Sequence, residues 1–304
     1  MSDENRGHGI SNRPEVEEAG GTVIKPISGL QETVLMFCGN PVAVIGAVGI
    51  TIVLVVSIFG PAVLGADPFE MVGAPLSEPF GEFLLGTDFL GRDVFAGIVY
   101  GARPTMLIAI SSTLITVIVG LSIGAMSGFY GGWVDATLMR VTEFFQVLPS
   151  IVLAIVLVAV FEPGLPSIVF AIGITHWTSL ARLTRAEFLK IKERELVLAQ
   201  RAAGATNKRL IWFVILPNAL PPLIISMTLT VGICILFEAA LSFLGLNDPD
   251  IITWGLMIGL SRDFFFEAWW TVTFPGLAIL LTVLCIALIG DGLNDALNPK
   301  LRQR

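Results

Sequence analysis

The sequence predicts an all-α, polytopic membrane protein, and two observations support that class. Of its 304 residues, 54% are hydrophobic and only 14% are charged, whereas soluble domains carry about 25% charged residues. Charge-free apolar stretches also recur along the chain, each long enough or nearly long enough to cross a hydrocarbon core of about 30 Å as a helix. A chain of this kind is expected to cross the membrane several times.

Six such windows predict six transmembrane helices. They are residues 33–66, 104–134, 144–161, 163–181, 210–237 and 268–290. The first window is the first transmembrane helix, and the other five form a helical core over 104–290. The polar, acidic stretch 1–32 is predicted to be a disordered tail because it carries too little apolar surface to fold. It lacks the pattern of a cleavable signal peptide.

Lys and Arg residues predict the orientation, because they collect in short cytoplasmic loops. Eight of them lie within the loop 182–216: Arg182, Arg185, Lys190, Lys192, Arg194, Arg201, Lys208 and Arg209. Three more lie in the tail 291–304. This bias places the loop and both termini in the cytoplasm of a cell whose plasma or inner membrane holds the protein. The acidic segments 67–103 and 246–267 are then extracytoplasmic, either as a solvated surface or as a docking face.

No catalytic residue, metal site or cofactor is predicted. The sequence has no G-x-x-x-x-G-K-[ST] phosphate loop and no H-E-x-x-H zinc motif, and it contains only two histidines. A net charge of −7 argues against nucleic acid as a partner. The bilayer is the first expected partner.

Two carboxylates at the edges of apolar windows and one glycine repeat stand out. Glu238 and Glu143 are candidates for an intramembrane function because ionisable groups inside a membrane are costly. Alternatively, Glu143 could pair with Arg140, and Glu238 could form a helix–helix hydrogen bond or anchor a loop. Glycines recur every fourth residue over 120–132. Small residues at this spacing allow close helix packing, within the subunit or against another one.

The stretch 195–222, ELVLAQRAAGATNKRLIWFVILPNALPP, is the most informative. Good helix formers over 195–203 predict a short helix on the inner face of the membrane, which ends or bends at Gly204. Its small side chains would let another protein approach closely. The candidate contact residues of this loop are Glu195, Leu198, Ala199, Gln200, Arg201, Ala203, Gly204, Ala205, Leu216 and Pro217.

This stretch resembles the signature loop of ABC-type importer permeases: Glu-Ala-Ala, three residues, Gly, nine residues, then Ile-x-Leu-Pro. Here the loop reads Leu198-Ala199-Gln200, Gly204, Val214 and Leu216-Pro217. Three further stretches are similar to one permease subunit, the C-type, of dipeptide, oligopeptide and nickel importers. They are LLGTDFLGRDVFAGIVYGAR (84–103), FEAALSFLGL (237–246) and DGLNDALNPKLR (291–302).

The resemblance implies a type I ABC importer permease fold that moves solute by alternating access. It also implies a second homologous permease, two ABC ATPase subunits and an extracytoplasmic substrate-binding protein as partners. The helix 195–206 would be the coupling helix that docks on an ATPase. Leu198 and Gln200 depart from the family's Glu and Ala. Peptides are the expected cargo, with nickel, another metal chelate or a different solute as the alternative.

An ion-coupled secondary transporter that uses Glu238 or His176 is a remote alternative. Such transporters contain paired repeats with broken midplane helices, and no internal repeat is visible in this sequence.

Overall fold

The computed structural model describes residues 29–297, most of them in helices. The helices are α1 (Gly29–Gly39), α2 (Pro41–Leu64), α3 (Val94–Tyr130), α4 (Gly132–Val147), α5 (Ser150–Phe161), α6 (Leu165–Lys192), α7 (Glu195–Ala202), α8 (Asn207–Arg209), α9 (Leu216–Phe243), α10 (Trp254–Ser261) and α11 (Trp270–Leu297). A π-helical turn, Leu210–Ile215, joins α8 to α9. The tail predicted over 1–32 lies mostly outside the described residues, and so does the chain beyond Leu297.

Four helices in the described part of the chain are long and apolar enough to cross a membrane: Pro41–Leu64, Val94–Tyr130, Asn207–Phe243 and Trp270–Leu297. The pair α4 and α5 adds a fifth if it counts as one broken span. The fourth predicted window, 163–181, lies almost entirely in α6. Helix α6 is 28 residues long, but polar residues around His176 lower its hydropathy, so the hydropathy criterion alone does not identify it as a span.

Several helices begin, end or bend away from the bounds of the predicted windows, each for a local reason. Helix α3 begins ten residues before the predicted 104, because Asp93 caps it by accepting a hydrogen bond from the Phe95 amide (2.9 Å). The third window, 144–161, is not one straight helix: α4 and α5 meet at 89°, next to Pro149. Helix α11 runs through the first seven residues of the predicted tail 291–304.

Contacts between glycines and neighbouring helices establish the helix directions. Gly120 on α3 lies against Leu180 on α6, and Gly128 lies against Phe188, so α3 and α6 run parallel. Gly292 near the end of α11 lies against Ala43 near the start of α2, so these two helices run antiparallel.

The bundle therefore has two distinct ends. We call the "α7 end" the one that holds α7, Gly131, the start of α2 and the last turn of α11. The "far end" holds residues 65–93, 162–164 and 244–269. Both ends of the described chain lie at the α7 end, as expected for six crossings in which α4 and α5 together make one and α6 makes another.

The α3–α6 pair is the most extensive helix contact, and its glycines explain why. A Cβ at Gly128 would lie 2.6 Å from the Cβ of Phe188, and a Cβ at Gly124 would overlap the carbonyl oxygen of Ala181. The glycine repeat is therefore a packing seam within the subunit over 120–128. Gly132 does not take part, since it starts α4 with φ +54° and has no neighbour near its Cβ position.

Candidate coupling surface

Helix α7 ends in a backbone motif that requires glycine. Gly204 has φ +84°, a left-handed conformation that side chains with a Cβ disfavour. Its amide donates to the carbonyl of Arg201 (3.0 Å), and the Ala205 amide donates to the carbonyl of Gln200 (3.0 Å). These two bonds make a Schellman motif that satisfies the last carbonyls of the helix. The predicted helix end at Gly204 is confirmed.

One buried side chain attaches α7 to the bundle. Val197 is fully buried in an apolar cluster with Phe188, Ile191 and Leu210, and Ala205 packs against the same cluster from beyond the helix end. The guanidinium of Arg201 lies 6.0 Å from the centre of the Phe129 ring at the end of α3. Helix α7 is thus held from beneath, by α3, α6 and the π-helical turn.

The other face of α7 is open. Leu196 and Leu198 are 55% and 47% exposed, which is high for leucines on a short helix. The remaining predicted contact residues of α7 are exposed or, in the case of Gln200, half-buried: Glu195, Ala199, Gln200, Arg201, Ala203 and Gly204. The structure therefore presents a small apolar surface with charged residues at its edges, away from the bundle.

Leu216 and Pro217 lie on a different helix from the other predicted contact residues. They form the first turn of α9, directly after the π-helical turn. Leu216 is half-buried against the Val197 cluster, whereas Pro217 is exposed. Their contribution is to position the loop. The sequence did not single out Val197, because it lies between two other apolar residues, Leu196 and Leu198, and no periodicity distinguishes the buried one.

An ion pair braces the helices around α7. Arg185 on α6 donates two hydrogen bonds to Asp135 on α4, Nε to Oδ1 and an Nη to Oδ2, both 2.6 Å long. Ser127 on α3 also donates its hydroxyl to Asp135. The pair is partly exposed, with 34% of the Arg185 side chain and 19% of the Asp135 side chain accessible. Helices α3, α4 and α6 therefore share one polar junction at the α7 end.

The two singled-out carboxylates lie in different surroundings. Glu238 is fully buried near the end of α9. Its Oε1 accepts a hydrogen bond from Ser242 (2.6 Å), and its Oε2 has no hydrogen-bond partner among the described residues. Glu143 is exposed on α4, and the ion pair with Arg140 that was its alternative explanation is not formed within the described chain.

Residues 120–124 spell Gly-Leu-Ser-Ile-Gly, the letters of a hydrolase nucleophile motif. That motif works on a sharp turn between a strand and a helix, but here Ser122 lies inside the continuous helix α3. Residues 120–124 therefore do not form a nucleophile turn of that kind. The described residues also contain no group of three or more His, Cys, Asp or Glu side chains that could hold a metal ion.

A protein family described as binding-protein-dependent transport system inner membrane component matches residues 120–303, which include α7 and Glu238. The chain belongs to this family.

A member named as a di/tripeptide transport system permease protein, DppC, from Pseudomonas aeruginosa is 41% identical over 283 residues, which cover 90% of this chain and 93% of the relative. A dipeptide transport system permease protein from Haemophilus influenzae is 40% identical over 91% of this chain and 97% of the relative. An oligopeptide transport system permease protein, OppC, from Bacillus subtilis is 35% identical over 92% of both chains.

Solved structures show the fold of this inner membrane component. The MetNI methionine ABC transporter, described in inward-facing conformations, has a chain that aligns with a TM-score of 0.56 and 21% identity over 66% of this chain and 95% of that one. An amino acid ABC transporter with histidines aligns with a TM-score of 0.50 and 15% identity over 69% of this chain. The fold is that of type I ABC importer permeases, as predicted, and the protein is a multi-pass membrane component of a transport system.

Proposed function

We propose that this protein is a non-catalytic permease subunit of an ATP-driven importer and that its cargo is short peptides. The observation that carries this proposal is its identity of about two residues in five with permeases named for dipeptide transport, over nine tenths of both chains. No phosphate loop exists in the sequence, so separate ATPase subunits would hydrolyse ATP.

The exposed face of α7 would be the contact with an ATPase subunit. Its two exposed leucines and small alanines suit a shallow groove, and the charged residues at its edges can form ion pairs with the rim. Because Lys and Arg concentrate around this helix, the α7 end would face the cytoplasm together with both termini.

Helix α7 would transmit the movement of the ATPase to the membrane helices. Val197 connects it to α6, Arg201 reaches α3, and the Asp135–Arg185 pair connects α4 to both. A push on α7 would therefore move several helices together. The nucleotide state and the loaded binding protein must favour different permease conformations, since a ligand shifts an equilibrium only by its differential affinity.

The other proposed partners follow from the two ends of the bundle. A substrate-binding protein would release peptide at the far end, where the acidic segments lie. A second, homologous permease subunit would complete the path, and a second ATPase would contact its coupling helix. Nickel or another metal chelate is the alternative cargo.

The transport test uses this chain co-expressed with the other permease and the ATPases, reconstituted into proteoliposomes with the binding protein. We expect ATP-dependent uptake of a labelled dipeptide by the complex and none by this chain alone. Uptake of Ni²⁺ without uptake of the dipeptide would show that the cargo is nickel rather than peptide. Uptake by the lone chain on a proton or sodium gradient would overturn the importer assignment.

The contact test uses a short cysteine cross-linker in a Cys38→Ser background. We expect Ala199→Cys on α7 to cross-link to an ATPase subunit. Val34→Cys is the matched control, because Val34 is 58% exposed on α1 at the same end of the bundle. Equal cross-linking at both positions, or none at Ala199, would contradict the assigned role of α7.

A further inference from the structure

A cleft of about 470 Å³ opens between α6, α9 and α11 and is not explained by the coupling surface. Its polar lining residues are His176, Ser179, Ser226, Thr230 and Asn294. The other lining side chains are apolar. The volume lies in the range of small-molecule sites, about 300–1,000 Å³.

The cleft runs from the middle of the bundle to the α7 end. His176 lies 11 residues into the 28-residue helix α6, and Leu183 lines the cleft two turns further toward α7. On α9 the lining begins at Pro222, near the α7 end, and reaches Ile233. Asn294 lies in the last turn of α11. The cleft therefore extends from the middle of the bundle to its α7 end.

Several polar groups in this cleft have no partner within the described chain. Ser179, Ser226 and Asn294 lie at its surface, and their side chains form no hydrogen bond with another described residue. Thr230 is the exception, since its hydroxyl donates to the carbonyl of Ser226 (2.8 Å).

His176 is held in one orientation. Its Nδ1 lies 3.0 Å from the carbonyl oxygen of Ile172 and 3.0 Å from the Thr175 hydroxyl. The ring meets Phe237 edge-on at a centroid distance of 4.2 Å. A carbonyl oxygen only accepts, so we assign the ring proton to Nδ1. Nε2 is then a free acceptor at the cleft.

The exposed faces of α2 and α3 are mostly apolar instead. On α2 the exposed side chains include Ile45, Ile52 and Ile58, and on α3 they include Leu114 and Ile118, each more than half exposed. These faces suit lipid. Polar groups at membrane depth almost always face protein or a water-filled cavity instead.

We propose that this cleft is the part of the peptide path that this subunit contributes, and that it binds the peptide backbone. This inference rests on the proposed function. His176 Nε2 accepts a hydrogen bond from a backbone amide or from the terminal ammonium group, and the hydroxyls of Ser179 and Ser226 pair with backbone groups. The apolar lining tolerates different side chains, so the site recognises what all short peptides share.

Water access is the first test and does not depend on cargo identity. In a Cys38→Ser, Cys285→Ser background, Ser226→Cys in the assembled complex is treated with a membrane-impermeant maleimide. We expect labelling above the background, and slower labelling when dialanine and the binding protein are present. Ile118→Cys, on the lipid-type face of α3, is the matched control and should remain unlabelled. A Ser226→Cys variant that resists labelling in every nucleotide state would overturn the proposal.

Uptake kinetics are the second test. His176→Leu removes the acceptor, whereas His176→Gln keeps an acceptor oxygen in the cleft. One hydrogen bond contributes about 1 kcal/mol net, so we expect the KM for dialanine uptake to rise about fivefold to tenfold in His176→Leu and to be largely restored in His176→Gln. Ile118→Ser should leave uptake unchanged. No dipeptide uptake by the unmodified complex refutes the proposed function itself. Normal uptake with a wild-type KM in both His176 variants refutes only the proposal that the cleft binds the peptide.

Discussion

Replacing Gly204 isolates the contribution of one backbone conformation to the coupling helix. A Cβ built at Gly204 meets no atom within 4 Å, so Gly204→Ala introduces no collision. The whole cost comes from φ +84°, which for a residue with a Cβ amounts to about 1–2 kcal/mol. Asn tolerates this conformation better than Ala does, so Gly204→Asn is the matched control.

The loss should appear first in the two hydrogen bonds that close α7. If strain lowers the free energy of opening by about 1–2 kcal/mol, the open population rises about 5- to 30-fold. Hydrogen exchange in the purified complex should therefore speed up by that factor in Gly204→Ala at the amides of residues 204 and 205, and much less in Gly204→Asn. Peptide-stimulated ATP hydrolysis should fall in the same order. Exchange at the wild-type rate in Gly204→Ala would show that the left-handed turn does not hold the helix end.

Three further substitutions test the packing around this helix. Val197→Ala removes two buried methyl groups worth about 2 kcal/mol and should accelerate exchange throughout α7, whereas Leu198→Ala on the open face should not. Asp135→Asn weakens a bidentate, partly exposed ion pair by about 1 kcal/mol and should lower the Tm of the complex measurably. Gly124→Val forces α3 away from α6 and should reduce the yield of assembled complex on size exclusion. Gly276→Ala, which has open space at its Cβ, should not reduce it. Equal yields of the two variants would contradict the role of the glycines in packing α3 against α6.

Most helices could be predicted from the sequence because the patterns that indicate them involve residues close together in the chain. Charge-free windows located the four helices of the described chain that are long and apolar enough to cross a membrane. Helix α7 ends at Gly204 as predicted, since both signals depend on neighbouring residues only. The start of α3 at its Asp93 cap and the bend next to Pro149 were not predicted, because apolar composition alone does not indicate where a helix is capped or bent. The polar residues of α6 lower its mean hydropathy below that of the other long helices. They nevertheless belong to a continuous helix that packs along its length against α3.

The position of α7 in the chain could be predicted from the sequence, but which of its faces is buried could not. Helix formers over 195–203 predicted the segment that forms α7. The buried Val197 could not be distinguished from its exposed neighbours Leu196 and Leu198 without knowing which helices lie against α7. The same holds for the Asp135–Arg185 pair, whose members are 50 residues apart. Long-range pairs of this kind leave no periodic trace in one sequence.

By itself, the sequence determined the class of protein, the apolar windows, the helix-forming loop and the resemblance that the family match then bore out. These properties follow from composition and from residues close together in the chain. Only the tertiary structure decided which face of α7 is open, where Glu238 is buried, and that His176, Ser226 and Asn294 line one cleft. Helices that are apolar on most sides can pack in many rotations, and only contacts between distant segments, such as the glycine seam of α3 against α6, select one.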